Sequence, residues 1–180
     1  MPYSALPTRW ETDRLVLTPE VPDDARWLAE LFTARGAGTV SPADAAVRIA
    51  AMQAVVAEHG IGARVLRTRP GAGPEIGTAP EAQPGARPLG YCAIVVGRGT
   101  LDEPELAYEL LPAAQGHGYA TEAARSLLTA TFDTGRTRVW STVRAWNAPS
   151  LRVLGRLGFR RVRSTVDDRG ELVWHVAEAG

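Results

Sequence analysis

The amino-acid sequence reads as a single domain of mixed α/β class built on a central, partly antiparallel sheet. Short apolar runs of strand length recur along the chain, and stripes at helical spacing fall between some of them, in the order β-α-α-β-β-β-α-β-α-β-β. A length of 180 residues is enough for one real core and too short for two ordinary ones. No internal repeat interrupts the order.

Each element has a local reason. Arg14–Thr18 alternates as a short strand, and Asp23-Asp24 open a helix with Ala25, Leu28, Ala29, Leu31 and Phe32 near helical spacing, ended by Gly36-Ala37-Gly38. A second helix starts at Ser41-Pro42, a capping residue followed by proline at the first helical position, and runs through Val47, Ile49, Val55 and Val56 to His59-Gly60. Ile61–Leu66 and Leu89–Val96 are apolar strands expected to pair. Between them, Pro70 to Pro88 is rich in Pro, Gly and Ala and reads as a long mobile hairpin loop, either a substrate lid or a tolerated surface insertion. Glu105–Leu111 forms the next strand. The third helix presents Ala120, Ala123, Ala124, Leu127, Leu128, Thr131 and Phe132 to the sheet and stops at Gly135. Arg138–Trp146 sets Val139, Ser141, Val143 and Ala145 against Trp140, Thr142, Arg144 and Trp146. A fourth helix, from Ala148 to about Leu157, ends at Gly158. Strands Arg160–Val166 and Glu171–Ala177 flank the turn Asp167-Asp168-Arg169-Gly170.

Composition narrows the function. With 45% hydrophobic and 22% charged residues and a formal net charge of zero, no field of one sign argues for nucleic acid or a membrane surface. The single cysteine, Cys92, lies in an apolar run; it forms no internal disulfide and reads as a buried structural thiol rather than a nucleophile. No signal-peptide core follows Met1, and no window approaches the roughly 18 apolar residues of a membrane span, so a cytoplasmic location is expected. No metal site is expected. Core packing explains most of Trp140, Trp146 and Trp174 better than ligand stacking does.

The most informative stretch is Gln115-Gly116-His117-Gly118-Tyr119-Ala120, opening into the amphipathic run from Thr121. Two glycines let the backbone turn its N–H groups inward, and a helix N-terminus adds unpaired donors and the positive dipole end. Such a cradle suits a pyrophosphate. The P-loop pattern is absent, and the chain has no lysine to serve one. The dinucleotide fingerprint fails at its third glycine, replaced by Ala120.

What remains, Gln-x-x-Gly-x-Ala, resembles the signature of the GNAT superfamily of acetyl-CoA-dependent N-acetyltransferases. Glu105-Leu106-Ala107-Tyr108-Glu109-Leu110-Leu111-Pro112 is similar to that family's fourth strand and its proline exit. The run from Asn147 to Phe159 resembles the N-x-x-S-x-x-x-L-x-x-L-G-F segment of the RimJ/RimL branch, and Glu11 to Pro19 is similar to that branch's first strand. The resemblance implies a mostly antiparallel sheet whose fourth and fifth strands splay apart, with a bulge in the fourth, to admit the pantetheine arm of acetyl-CoA. It implies direct acetyl transfer to a primary amine, on a protein N-terminus or a small molecule, in a ternary complex. A non-catalytic acyl-CoA sensor or partner-binding module on the same fold is the alternative.

Carried onto this sequence, the resemblance gives Gln115, Gly116, His117, Gly118, Tyr119 and Ala120 to the pyrophosphate, chiefly through main-chain donors, with Thr121 adding a hydroxyl. Leu110 and Leu111, beside Glu109, supply freed backbone groups, and an N–H near Leu110 is the candidate oxyanion donor. Asn147 would contact the pantetheine arm and Ser150 the sulfur, although helix capping also explains both. The family's usual tyrosine acid is replaced by Leu154, which leaves Ser150 or a water to protonate the thiolate. Glu105 and Glu109, on one strand face, are candidate bases, Glu105 first because the branch often has Glu there. His117 is expected to point to solvent. Arg125, Arg152 and Arg156 are weaker candidates for a phosphate, and the first two helices form part of the acceptor wall. Exposed apolar surface on a C-terminal strand would suggest a homodimer.

Overall fold

The computed structural model describes residues 3–36, 38–69 and 88–180. Its strands are β1 (Trp10–Glu11), β2 (Leu15–Pro19), β3 (Ala63–Thr68), β4 (Pro88–Val95), β5 (Glu105–Leu110), β6 (Arg138–Arg144), β7 (Arg160–Asp167) and β8 (Gly170–Glu178). The helices are α1 (Ala25–Thr33), α2 (Pro42–His59), α3 (Tyr119–Asp133) and α4 (Ala148–Arg156). All described strands join one sheet in the order β1-β2-β3-β4-β5-β6-β8-β7. Every pairing is antiparallel except β5 with β6. The expected order therefore stands, with the two-residue β1 added at the start. The loop expected from Pro70 to Pro88 falls outside the described residues except at Pro88.

Local chemistry accounts for the best-matched element. Ser41 caps α2 by accepting the Asp44 N–H at 3.1 Å, the Asp44 carboxylate returns the bond to the Ser41 N–H at 3.0 Å, and Pro42 takes the first helical position. Gly60 ends it at φ +68°, where a side chain would be strained. Its inward face is Ala45 and Ile49; Val47, expected on the apolar stripe, is 70% exposed.

The sheet carries helices on both faces. Strand alternation puts Leu66, Cys92, Ile94, Leu106, Leu110 and Val139 on one side, where they bury against Ala123, Ala124, Leu127 and Leu128 of α3 and Leu154 of α4. On the other side α1 and α2 pack Leu28, Leu31 and Ile49 around Tyr91 and Leu111. The strand expected to reach Trp146 stops at Arg144, and Trp146 stands 73% exposed in the following turn. Trp140 and Trp174 are half-buried and meet edge to face, ring centres 6.0 Å apart. Strand β7 forms the sheet's last edge and is exposed along its whole length.

Candidate active site

The loop after β5 spends its first donors on itself. Ala114 N–H bonds Leu111 O at 2.8 Å and Gln115 N–H bonds Pro112 O at 3.2 Å. Gln115, expected to give a main-chain donor, contributes its side chain instead, with Nε2 donating to Leu110 O at 3.1 Å. Beyond it the N–H groups of Gly116, His117 and Gly118 have no acceptor among the described residues. Gly116 and Gly118 lie at φ +81° and +82°, and His117 between them at negative φ. Alternating hand turns successive N–H groups into one concavity. Tyr119, Ala120 and Thr121 follow as the first turn of α3, whose N–H groups have no intrahelical partner. Most of the expected cradle residues thus meet on one turn. His117 is exposed, its ring stacked on Tyr119 at 5.7 Å, while Tyr119 itself is fully buried.

A cation flanks this turn that the sequence reading did not single out. Arg14 donates from Nε to Glu122 at 2.7 Å and from Nη1 to His117 O at 3.0 Å, with its guanidinium 4.7 Å from the Tyr119 ring centre. Its Nη2 lies 3.4 Å from where a Gly118 Cβ would stand. Burial would raise the Glu122 pKa, but bonds from the Thr12 hydroxyl and the Arg14 backbone and side chain outweigh it and hold the carboxyl below its ordinary value. The only sequence signal was Arg14's place in the segment resembling the first strand. Arg125 turns elsewhere, donating to Arg156 O at 2.7 Å and tying α3 to the end of α4.

Strands β5 and β6 part as soon as they meet. Their parallel pairing is confined to Glu105 opposite Trp140, with Trp140 N–H on Pro104 O at 2.8 Å. The β4–β5 register shows no shift from Val95 opposite Glu105 to Gly90 opposite Leu110, so the expected bulge is absent from this ladder. The Glu105 side chain separates the strands instead. Buried between them, it accepts the Thr142 N–H at 3.0 Å, the Thr142 hydroxyl and the Arg98 N–H at 2.9 Å. A carboxylate thereby takes a donor that the ladder would have used. Because Leu111 N–H bonds Leu89 O at 2.9 Å, the alternation of an antiparallel ladder turns the backbone groups of Leu106, Tyr108 and Leu110 toward β6. Ser141 Oγ occupies Leu106 O at 3.0 Å and Gln115 occupies Leu110 O; the Leu110 N–H faces the opening. Leu111, named beside Leu110 as a source of freed groups, has its N–H committed to β4.

Glu109 shares the α1–α2 face with Glu105 but not its surroundings. It is partly exposed and bound by Arg35, from the turn after α1, through Nε at 2.7 Å and through Nη2. Arg35 Nη2 also donates to the Tyr91 hydroxyl at 2.8 Å. Burial pushes Tyr91 up to about 12, against the positive charge of Arg35. Burial opposes the charge on Arg35, yet the bond to Glu109 and the neighbouring Tyr91 leave its pKa raised.

Across the opening, Asn147 caps α4, its side chain accepting the Ser150 N–H at 3.2 Å. Ser150 O accepts the Tyr108 hydroxyl at 3.1 Å, and burial raises the Tyr108 pKa, keeping a protonated phenol next to this helix. Leu154 is fully buried. Cys92 is equally buried and its thiol pKa is raised by that burial, a poor setting for a nucleophile. Among the described residues no group of three or more metal-ligating side chains gathers, and no helix is long and apolar enough to cross a membrane.

Residues 14–160 match the acetyltransferase (GNAT) domain family. The chain belongs to the GNAT acetyltransferase family. Solved structures of similar shape include a Bordetella pertussis protein assigned to the GnaT acetyltransferase family, 26% identical, covering 94% of this chain and 99% of its own, TM-score 0.74. Mycobacterium smegmatis RimJ in complex with CoA-disulfide is 20% identical over 92% of this chain and 82% of its own, TM-score 0.69. The microcin C7 self-immunity acetyltransferase MccE, solved with acetyl-CoA and AMP, is 14% identical over 93% and 94%, TM-score 0.72. No curated protein matches the chain. Mixed α/β layers, the mostly antiparallel sheet and the parting of β5 from β6 are the GNAT architecture expected from the motifs.

Proposed function

We propose that the chain is a single acetyltransferase domain that moves the acetyl group of acetyl-CoA directly to a primary amine, on a protein N-terminus or a small molecule, in a ternary complex. The observation that carries this reading is the row of unpartnered N–H groups at Gly116, His117 and Gly118, running into α3 beside the parted strands, in a chain of the GNAT family. The donors fit a pyrophosphate, with open space outside Gly116 and the Arg14 cation alongside. The coenzyme would supply an activated thioester. The residues of this chain do the rest: the cradle and Arg14 bind, Gln115 braces Leu110, and the Leu110 N–H is the donor for the developing oxyanion. Asn147 caps the start of α4 through the Ser150 N–H, and the Ser150 hydroxyl or a water would return a proton to the thiolate. Between the two carboxylates, we assign proton acceptance to Glu109. The Glu105 oxygens are committed to holding β5 from β6, whereas Glu109 is partly exposed on the acceptor side.

A second reading, a non-catalytic acyl-CoA sensor, draws on Leu154, buried where many relatives carry a tyrosine acid. Calorimetric titration with acetyl-CoA separates these ideas from their absence. Wild type is expected to bind. Gly118→Glu, strained at φ +82° and bringing a carboxylate to the Arg14 guanidinium in competition with phosphate, is expected to lose binding while still unfolding in one cooperative thermal transition, at a somewhat lower temperature. Failure of the wild type to bind would overturn both readings. Binding without amine-dependent release of coenzyme A would favour the sensor.

A further inference from the structure

We infer that the acceptor is an amine with a carboxylate beside it, as in a free α-amino acid, and that Arg35 selects it; this rests on the acetyltransferase reading above. Arg35 and Glu109 form an ion pair on the sheet face between β5 and the α1–α2 turn, one residue from the Leu110 N–H. Their side chains are 38% and 26% exposed, so both are within reach of a ligand. The Arg35 guanidinium lies 4.2 Å from the Phe32 ring centre, and Arg48 of α2 approaches the same ring at 5.0 Å. Two cations therefore share the Phe32 ring next to this site, and Asp44, whose carboxyl feels the charge of Arg48, serves the cap of α2.

An amine that reaches Glu109 displaces the guanidinium holding it. A bare amine would take Glu109 and leave the Arg35 guanidinium without its carboxylate partner, at the cost of a lost charge-assisted bond. A polyamine or aminoglycoside would add cations next to two arginines. A ligand that brings its own anion re-pairs Arg35 as its ammonium takes Glu109. Because the two protein charges touch, the two ligand charges must be neighbours, and an α-amino acid meets that condition. Arg35 acts here as a specificity residue, and Glu109 then accepts the ammonium proton to free the attacking amine.

The test compares the standard amino acids, their α-amides and spermidine as acceptors, with acetyl-CoA, for wild type and Arg35→Gln. For the preferred amino acid, wild type should show kcat/KM at least about tenfold above its amide, the size expected for one charge-assisted bond. Arg35→Gln should bring that ratio near one, chiefly by raising KM for the acid, and should bind acetyl-CoA with wild-type affinity as evidence that it is folded. Amides or spermidine used as well as the acids by wild type, or a ratio unmoved in Arg35→Gln, would overturn the inference and leave acetyl transfer standing. A protein that binds acetyl-CoA but acetylates none of these amines overturns the inference; the proposed function falls with it only if peptides with free N-termini also draw no release of coenzyme A.

Discussion

Arg14 brings a full positive charge to a turn otherwise made of partial ones. Two of its nitrogens are fixed by Glu122 and His117 O, so little side-chain entropy is left to lose when an anion arrives. Preorganisation makes it the side chain whose removal should cost most in cofactor affinity. Arg14→Gln is expected to weaken acetyl-CoA binding by about tenfold, in line with the loss of one charge-assisted bond. The gap between variant and wild type should narrow as salt rises, because a partly exposed charge is screened. A variant that binds as wild type does at low salt would remove Arg14 from the cradle. The same contacts explain why it was not read as a site residue: Arg14 and Glu122 are 108 positions apart, and their meeting is a product of β2 packing beside α3.

Elements whose causes are local were legible, and those made by distant contacts were not. Ser41-Pro42 and Gly60 bound α2 through short-range caps, and the two glycines around His117 dictate the cradle through backbone geometry alone. The parting of β5 from β6 was expected from resemblance, but its cause was not visible. Alternation put Glu105 and Glu109 on one face and could say nothing of the gap that one enters and the other avoids. Glu105 accepts three bonds there from Thr142 and Arg98. Glu105→Gln turns an acceptor-only group into one with two donors, so at least one bond is lost and an amide N–H is set against other donors. Destabilisation of about 2 kcal/mol is expected in urea unfolding, together with weaker acetyl-CoA binding as β6 shifts toward β5. Wild-type stability combined with a rate falling in proportion to base removal would return Glu105 to the role of base.

For the molecule as a whole, the two layers of helix on one sheet leave a carboxyl in an expensive place. Glu20, just beyond β2, is 6% exposed. Burial first, and then the charge of Asp24, push its pKa up to about 7 from an ordinary 4.5, while buried Arg64 pulls only partly the other way. Arg64 spends its own donors on Pro7 O at 3.1 Å and Ala63 O at 3.0 Å. In the unfolded chain Glu20 ionises near 4.5, so between that value and about 7 the folded state holds the extra proton. The favourable difference is full below the unfolded pKa and is lost as pH rises through the folded one, an effect on the order of 3 kcal/mol. His175 has the opposite sign. Burial lowers its pKa, so its cost appears as pH falls and the unfolded imidazole takes up a proton that the folded one resists. Raw stability profiles therefore mix the two. Unfolding by urea at about pH 5 and about pH 8, for wild type and Glu20→Gln, separates them, because His175 is common to both. Glu20→Gln should be the more stable protein at the higher pH and should lose that advantage at the lower one. Parallel profiles for the two proteins would mean that Glu20 ionises in the fold as it does in the open chain.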